Sequence, residues 1–320
     1  MADSNSIWVL ADDRAGNRAQ VLGVADVLGL PYDVKGISYG PWARLPNVVL
    51  GGSTMGLDKK SRIGLSAPWP SLVIAAGRRT APVALAIKRK SAGQARLVQI
   101  MNPGMATDQF DLIAVPSHDP PIAGDNVISV TGAPHGLTEA VLASARDQWM
   151  PTLAELPAPR IAVMVGGSTR RREFTHAMAR ELGVRASEMA LAAGGSLMIT
   201  TSRRTGAASS ALVDVLDCPS RLYQWGDEGD NPYLGFLACA DAVVVSGDSV
   251  SMCSEACAVP VPVQIFAPPE LITIKHARCH ATLYDGCYAG PFTGVLVQGR
   301  HIPLNAAETI AGAIKERFLS

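Results

Sequence analysis

The sequence has no excess charge of either sign, few aromatic residues and no long hydrophobic run. Its 28 Lys and Arg residues are matched by 28 Asp and Glu residues. The chain therefore lacks the broad positive field that draws proteins to nucleic acid, and we expect no nucleic-acid partner.

No stretch reaches the roughly 20 apolar residues of a membrane-spanning helix. The N-terminal residues MADSNSIWVLADDR contain acidic residues and no basic region. We therefore expect no secretion signal and a cytoplasmic protein, with peripheral contact at the inner face of the membrane left open.

The six cysteines show no paired C-x-x-C spacing and lie in apolar segments, which favours free, buried thiols over disulfides. The nearest approach to a metal-ligand cluster is His276, Cys279 and His280, with Cys287 further along. A structural zinc ion needs four converging ligands, and no second pair is evident. We expect no metal site.

What the sequence does contain is enough apolar residues for two separate cores. Of its 320 residues, 48% are hydrophobic and 18% are charged. Short apolar runs alternate with polar loops and helical stretches, a pattern that predicts an α/β protein with parallel strands. In the first half, residues 18–28 are a predicted helix. The predicted strands there are residues 7–10, 48–50, 72–75, 97–100, 112–115 and 127–130.

A segment with Pro151, Pro157 and Pro159 interrupts this alternation, and we predict an interdomain linker at residues 148–160. The predicted domains are residues 1–150 and 151–305, followed by a helix at 306–320 that could pack back on the first domain. After the linker, we predict strands at 161–165, 197–200, 222–224, 242–245 and 263–266, and helices at 172–182, 207–216, 233–239 and 250–258. Two Rossmann-like parallel-sheet domains would face a cleft, with ligands beyond the carboxyl ends of the strands.

The most informative segment is residues 241–269, where a strand of valines ends in Ser246, Gly247 and Asp248. A predicted helix begins near Ser249, and its free amides and partial positive charge suit a phosphate group. Ser251 lies in its first turn, and Glu255 follows at a distance suited to ribose hydroxyls. Alternatively, Ser249 only caps the helix and Glu255 is solvated surface.

Two further loops follow predicted strands of the second half, and they open at the same edge of the sheet. They also carry hydroxyl and guanidinium groups, which bind phosphate well. An arginine cluster at 170–172 follows the first loop, and a solvated helix face is the alternative for both arginine clusters. The candidate residues in the two loops are Gly166, Gly167, Ser168, Ser202, Arg203, Arg204 and Thr205.

Blocks along nearly the full length resemble one family, which is named for the plant "elongated mitochondria" fission protein and includes bacterial members. The blocks are ADDRAGNRAQ, VPSHD, GAPH, MVGGSTRR, ITTSRRTG and NPYLGFLACADAVVVSGDSVSMCSEA, of which the last is the most specific. The resemblance implies a GT-B glycosyltransferase. Such an enzyme would move a sugar from a nucleotide-diphosphate sugar to an envelope or lipid-linked glycan, with no metal and no cofactor besides this donor.

In such an enzyme, Arg203 and Arg204 would stabilise the negative charge that develops on the departing diphosphate. Enzymes of this architecture commonly take the base from the loop after the first strand, which here contains Asp12 and Asp13. These two residues could instead cap the next helix, and His118 or His135 could compete as the base. Trp225 follows the third strand of the second half and could contact the nucleobase or be a core aromatic.

Two other functions remain open from the sequence. Non-hydrolysing 2-epimerases of nucleotide sugars share the same two-domain plan, and Asp12, Asp13, His118, Asp119 and His135 offer enough acid and base groups. The second is a membrane-associated scaffold that keeps the fold without turnover, since fold and catalysis can separate.

Overall fold

A computed structural model describes residues 6–319 as two compact α/β units. The first unit consists of residues 6–136 and 305–319, and the second of residues 137–304. Each contains a six-stranded parallel sheet with helices on both faces, which is the two-sheet Rossmann-like plan expected from the sequence. Within residues 6–319, no helix is both long and apolar enough to cross a bilayer.

The first sheet has the strand order β2-β1-β3-β4-β5-β6, and all pairs are parallel. Strands β1, β3 and β5 are buried along their whole length, because helices cover both faces. The strands are β1 Ile7–Ala11, β2 Tyr32–Gly36, β3 Leu72–Ala76, β4 Arg96–Ile100, β5 Leu112–Pro116 and β6 Val127–Val130. The helices are α1 Ala15–Leu28, α2 Asn47–Leu50, α3 Lys59–Ile63 and α4 Ala81–Lys90, with a 3-10 turn at Pro41–Arg44.

The second sheet has the strand order β12-β11-β10-β7-β8-β9, again with all pairs parallel. Counted within the unit, this is the 3-2-1-4-5-6 order of dinucleotide-binding folds, in which the chain changes direction across the sheet between β7 and β10. The strands are β7 Arg160–Val165, β8 Ser196–Thr201, β9 Ser220–Tyr223, β10 Ala242–Ser246, β11 Val263–Phe266 and β12 Gly290–Pro291. The helices are α5 Glu139–Leu153, α6 His176–Ala192, α7 Ala208–Val213, α8 Tyr233–Cys239, α9 Val250–Ala256 and α10 Ile274–Asp285.

After Leu304, the chain returns to the first unit as helix α11, Ala306–Ile314, followed by a π-helical turn at Lys315–Leu319. Helix α11 packs against α1. Ile310 and Ile314 are fully buried in the core that also contains residues of β1, β3 and β5. The first core is therefore completed by the end of the chain.

The prediction of a strand at residues 48–50 is wrong, since α2 occupies this position. Pro46 precedes the helix and Gly51, at φ +53°, ends it. The Asn47 side-chain amide donates to the carbonyl oxygens of Arg78 and Pro103, both at 2.6 Å. Buried polar groups need such partners, so Asn47 fixes the turn and leaves its valine neighbours exposed.

Helix α5 occupies residues where the prolines predicted the start of a linker, and Pro151 lies inside it. The helix begins after Thr138, whose hydroxyl accepts from the amide of Val141, and it packs against α8. Trp149 meets Phe236 edge to face, with the ring centroids 6.4 Å apart. The second unit accordingly begins at Leu137, earlier than the boundary expected at residue 151.

Candidate functional site

The loops after β10, β7 and β8 follow three neighbouring strands at the centre of the second sheet. This is the point where the strand order reverses, the usual ligand position in open α/β sheets. Residues 166–168, 202–205 and 246–249 of these loops are called the loop cluster below. The structure brings together the loop residues that the sequence analysis singled out.

Asp248 is the centre of the loop cluster, and its side chain is fully buried. One carboxylate oxygen accepts from the amide of Gly167 at 2.9 Å and pairs with the Arg204 guanidinium at 2.6 Å. The other accepts from the Ser246 hydroxyl at 2.7 Å. The Ser246 oxygen in turn accepts from the amide of Gly166 at 2.7 Å. A buried charge needs such compensation, and these contacts provide it.

The loop after β8 is bonded directly to the loop after β7. The hydroxyls of Ser202 and Thr205 both donate to the Gly166 carbonyl, the second at 2.6 Å. The amide of Ser168 donates to the Arg204 carbonyl at 2.9 Å, and the Arg204 guanidinium donates to the Gly167 carbonyl at 3.1 Å. These contacts fix the backbone of both loops relative to each other.

The Arg204 backbone lies so close to position 167 that only glycine fits there. Its φ is +136°, and a Cβ atom built on it would lie 2.2 Å from the carbonyl carbon of Arg204. Gly166 has the same constraint, because its Cβ would lie 2.4 Å from an Asp248 oxygen. The two glycines therefore allow the Arg204 backbone and the Asp248 carboxylate to approach the loop after β7 closely.

Several other predicted residues lie at the exposed rim of the loop cluster. Arg203 is exposed, as are the arginines at 170–172. Trp225 is 59% exposed, so its interpretation as a core aromatic is wrong, while nucleobase contact stays a prediction. Ser249 caps α9 by accepting from the amide of Met252 at 3.4 Å, and Ser251 is half-buried in the first turn.

Glu255 is not solvated surface, because it is largely buried and accepts a hydrogen bond at 2.6 Å from the hydroxyl of Tyr233. Burial raises the pKa of Glu255, and the Tyr233 hydrogen bond partly opposes that shift. Sequence reasoning missed Tyr233, although it stands in the block that carried the most specific resemblance. The available signal was its position as the first residue of the predicted helix 233–239, which the structure shows as α8.

Helix α10 brings two further side chains that the sequence analysis considered only as metal ligands. A Cβ on Gly247 would lie 2.6 Å from Cε1 of the buried His280, so this ring packs against the loop cluster. Burial lowers the pKa of His276, and the nearby Asp248 carboxylate opposes that shift. In the described part of the chain, no three His, Cys, Asp or Glu side chains are arranged to hold a metal ion.

The two candidate bases in the first unit differ in accessibility. Asp12 is buried and accepts from the amide of Arg14 and the side-chain amide of Asn17, both at 3.0 Å, so it organises the turn before α1. The Asp13 side chain is 52% exposed and forms an ion pair with Arg79, whose guanidinium lies 4.1 Å over the Tyr39 ring. Both carboxylates line a cavity of about 440 Å³ within this unit.

His118 follows a strand that is not adjacent to the strand of these carboxylates. It follows β5, which is separated from β1 by β3 and β4. With neighbouring strands about 4.8 Å apart, β1 and β5 are about 14 Å from each other. His118 is also buried, so Asp13 is the more accessible of the three predicted catalytic groups.

A model of the family described as Mitochondrial fission ELM1 matches residues 15–318 of the sequence. The chain belongs to this family. An uncharacterized protein of Rickettsia prowazekii is 28% identical, with the match covering 97% of this chain and 98% of that protein. The mitochondrial fission protein ELM1 of Arabidopsis thaliana is 31% identical over 68% of this chain, and the match spans 56% of the plant protein.

The fold of this ELM1-family chain is also found in a UDP-GlcNAc 2-epimerase from Methanocaldococcus jannaschii. The TM-score is 0.52 at 9% identity, and the match covers 98% of this chain and all of the epimerase. Such a likeness shows the fold alone. The chain is thus a GT-B-type pair of Rossmann-like units.

Proposed function

We propose that this chain is a glycosyltransferase that binds the diphosphate of a nucleotide-diphosphate sugar at the loop cluster of the second unit. The observation that carries the proposal is the bonding of three strand-end loops into one cluster at the reversal point of a dinucleotide-type sheet. Ligands of open α/β sheets bind at this point. Membership of the ELM1 family, which the sequence resemblance links to GT-B glycosyltransferases, supports the same conclusion.

The structure suggests different tasks for the two adjacent arginines. Arg204 neutralises Asp248 and bonds to backbone carbonyls, so it is a positioning residue. Because this ion pair is neutral, the buried carboxylate does not repel an approaching diphosphate. Arg203 is exposed and would supply a guanidinium for the phosphate oxygens. Its fixed charge would stabilise the departing diphosphate without a metal ion.

Three further residues have roles in the proposed enzyme, two in binding the donor and one as the base. Glu255 accepts from the ribose hydroxyls, while Trp225 stacks on the nucleobase. Asp13 takes the proton of the attacking acceptor hydroxyl, since it is the exposed carboxylate of its loop. The acceptor is an envelope or lipid-linked glycan.

Thermal shift of the full-length chain with UDP, GDP, ADP, CMP and dTDP tests the donor site. A ligand that binds the folded state raises the melting temperature, and we expect at least one nucleoside diphosphate to do so. Arg203→Ala should reduce this rise, while Arg300→Ala, which removes an exposed arginine elsewhere in the same unit, should not. If no nucleotide stabilises the protein, or if both variants respond like the parent, the proposed donor site is wrong.

An epimerase is the second candidate, favoured by the fold shared with the UDP-GlcNAc 2-epimerase. Incubation with a nucleotide sugar alone separates the two enzymes. Formation of an isomer without acceptor, followed by proton NMR, supports epimerisation. Binding without any consumption, with or without an acceptor, supports a scaffold that has kept the donor site.

A further inference from the structure

The segment between β2 and β3 exposes an unusual set of side chains, and we call residues 41–63 the basic apolar surface. Five large apolar side chains are exposed there: Trp42, Val48, Val49, Met55 and Ile63. Four basic side chains are exposed in the same segment: Arg44, Lys59, Lys60 and Arg62. Five exposed large apolar side chains and four exposed basic ones within 23 residues favour an interaction surface over ordinary scatter.

The degree of exposure is large for side chains of this kind. Val48 is 84% exposed, Ile63 is 68% and Trp42 is 59%. Each belongs to a different short helical turn of the segment, namely α2, α3 and the 3-10 turn before α2. Three separate turns therefore each direct an apolar group into water.

The segment is folded onto the first unit, so these groups are held in place. Its inward side chains Ala43, Leu50 and Leu57 are buried. The amide of Ser38 donates to the Ser61 hydroxyl at 2.9 Å, and Asp58 caps α3 by accepting from the amide of Ser61 at 2.7 Å. These contacts fix the segment to the first unit while its large apolar and basic side chains stay exposed.

The charge of the segment is strongly biased although the whole chain is neutral. Residues 41–63 contain four basic residues and one acidic residue, Asp58. The Asp58 carboxylate is engaged in the cap of α3, and these hydrogen bonds lower its pKa. The outward charge is therefore positive and complements an anionic surface.

We infer that the basic apolar surface docks the protein on an anionic lipid bilayer. Trp42 and the exposed valines enter the headgroup region, and the lysines and arginines contact lipid phosphates. Lysine is depleted from protein–protein interfaces, whereas lysine, arginine and tryptophan together are typical of interfacial membrane segments. The occupant is therefore a lipid surface rather than a protein.

Docking at this position would also place lipid near the candidate base. Lys60 and Ser61 of α3 line the cavity that contains Asp13, so lipid bound on the outward side of α3 lies next to that cavity. This step rests on the proposed function, because it gives a lipid-linked acceptor a route to Asp13. Membrane docking itself does not depend on it.

Co-sedimentation of the full-length chain with vesicles tests the docking surface. We expect binding to phosphatidylcholine vesicles that contain phosphatidylglycerol, and much weaker binding to pure phosphatidylcholine. Lys59→Gln with Lys60→Gln should weaken binding roughly 25-fold, since each basic residue near an anionic surface contributes about fivefold. Val48→Ser with Val49→Ser should also weaken it.

The matched control is Ile302→Ser with Ile274→Ser, which removes two comparably exposed apolar side chains, 81% and 75% exposed, from the second unit. This variant should bind vesicles like the parent. Equal binding by all variants, or none to anionic vesicles, overturns the inference. Dimers that dissociate on Val48→Ser with Val49→Ser, without vesicle binding, identify a second copy as the occupant instead. The nucleotide thermal shift is independent, so a failed donor site leaves this result readable.

Discussion

Asp248 shows how a buried carboxylate can hold three loops together. It accepts from a backbone amide and a hydroxyl and pairs with Arg204. Removing it leaves Arg204 and the Gly167 amide without that partner. Breaking such a pair costs about 3–5 kcal/mol when fully buried. Because Arg204 is partly exposed, we expect Asp248→Ala to lower the free energy of unfolding by about 2–3 kcal/mol, measured by urea denaturation.

Arg203→Ala is the control for this prediction. It removes the adjacent exposed guanidinium, and we expect a change within about 0.5 kcal/mol. If Asp248→Ala is as stable as this control, the carboxylate does not hold the loop cluster together.

The close approach at Gly167 makes a second prediction possible. Gly206 also has a positive φ, +55°, but its Cβ position is open, whereas that of Gly167 collides with the Arg204 backbone. We expect Gly206→Ala to cost about 1 kcal/mol from the backbone conformation alone. Gly167→Ala should cost several times more and should abolish the nucleotide-induced thermal shift. Similar losses of stability in the two variants would show that the positive φ, and not the contact with the Arg204 backbone, requires glycine at position 167.

The sequence predicted which residues meet in the loop cluster, but not which of them contact solvent. Arg203 and Arg204 are neighbours of the same type in a turn, where no periodicity distinguishes their directions. Only the position of Asp248 decides between them, and its burial depends on packing among three loops. The pairing of Glu255 with Tyr233 likewise joins residues from separate elements, which spacing along the chain does not encode.

At the scale of elements, the hydrogen bond between Tyr233 and Glu255 couples the first residue of α8 to α9. Burial raises the pKa of Glu255 above that of the unfolded chain, so the folded state holds the proton more tightly. Stability from this group is thus lost as the pH rises from the unfolded pKa through the folded one, at about 1.4 kcal/mol per pKa unit. We expect Glu255→Gln to lack this loss, so that its stability relative to the parent increases as the pH rises above the ordinary carboxyl pKa of 4.5.

Tyr233→Phe provides the complementary variant. The hydrogen bond lowers the pKa of Glu255, so its removal should raise that pKa further and enlarge the total loss of stability with rising pH. Urea denaturation across the pH range measures both variants. Parallel pH profiles for parent, Gln and Phe proteins would show that Glu255 titrates normally.

Continuous apolar runs predicted the buried strands to within a residue or two, because strands covered on both faces need no polar alternation. Edge strand β2, with sequence YDVKG, was missed because none of its residues is buried and no continuous apolar run marks it. The valines of α2 led to the opposite error, a predicted strand where the structure has a helix, because a β-branched run is typical of strands. Asn47 and its carbonyl partners determine that turn, and those partners lie far away in sequence.

At the scale of the molecule, the first unit is built from both ends of the chain. Ile310 of α11 is fully buried in its core, and Ile310→Ala should cost about 2–5 kcal/mol. Leu319→Ala, at a position 41% exposed, should be nearly neutral. Because two units need not unfold together, limited proteolysis with mass spectrometry is the suitable measurement. We expect Ile310→Ala to speed cleavage within residues 6–136 while 137–304 resists; equal cleavage of both variants would contradict this.

The bonds among the three strand-end loops have a consequence for donor selectivity. A ligand arriving there meets groups that folding has already ordered, so little entropy is lost in arranging them. In the proposed donor site, these ordered groups would contact the diphosphate, which all nucleoside diphosphates share. Under the same proposal, discrimination between one base and another would depend on the exposed side chains of Trp225 and of the arginines at 170–172. Exchanging Trp225 or the arginines at 170–172 should therefore alter which nucleoside diphosphate is preferred, while leaving diphosphate affinity nearly unchanged.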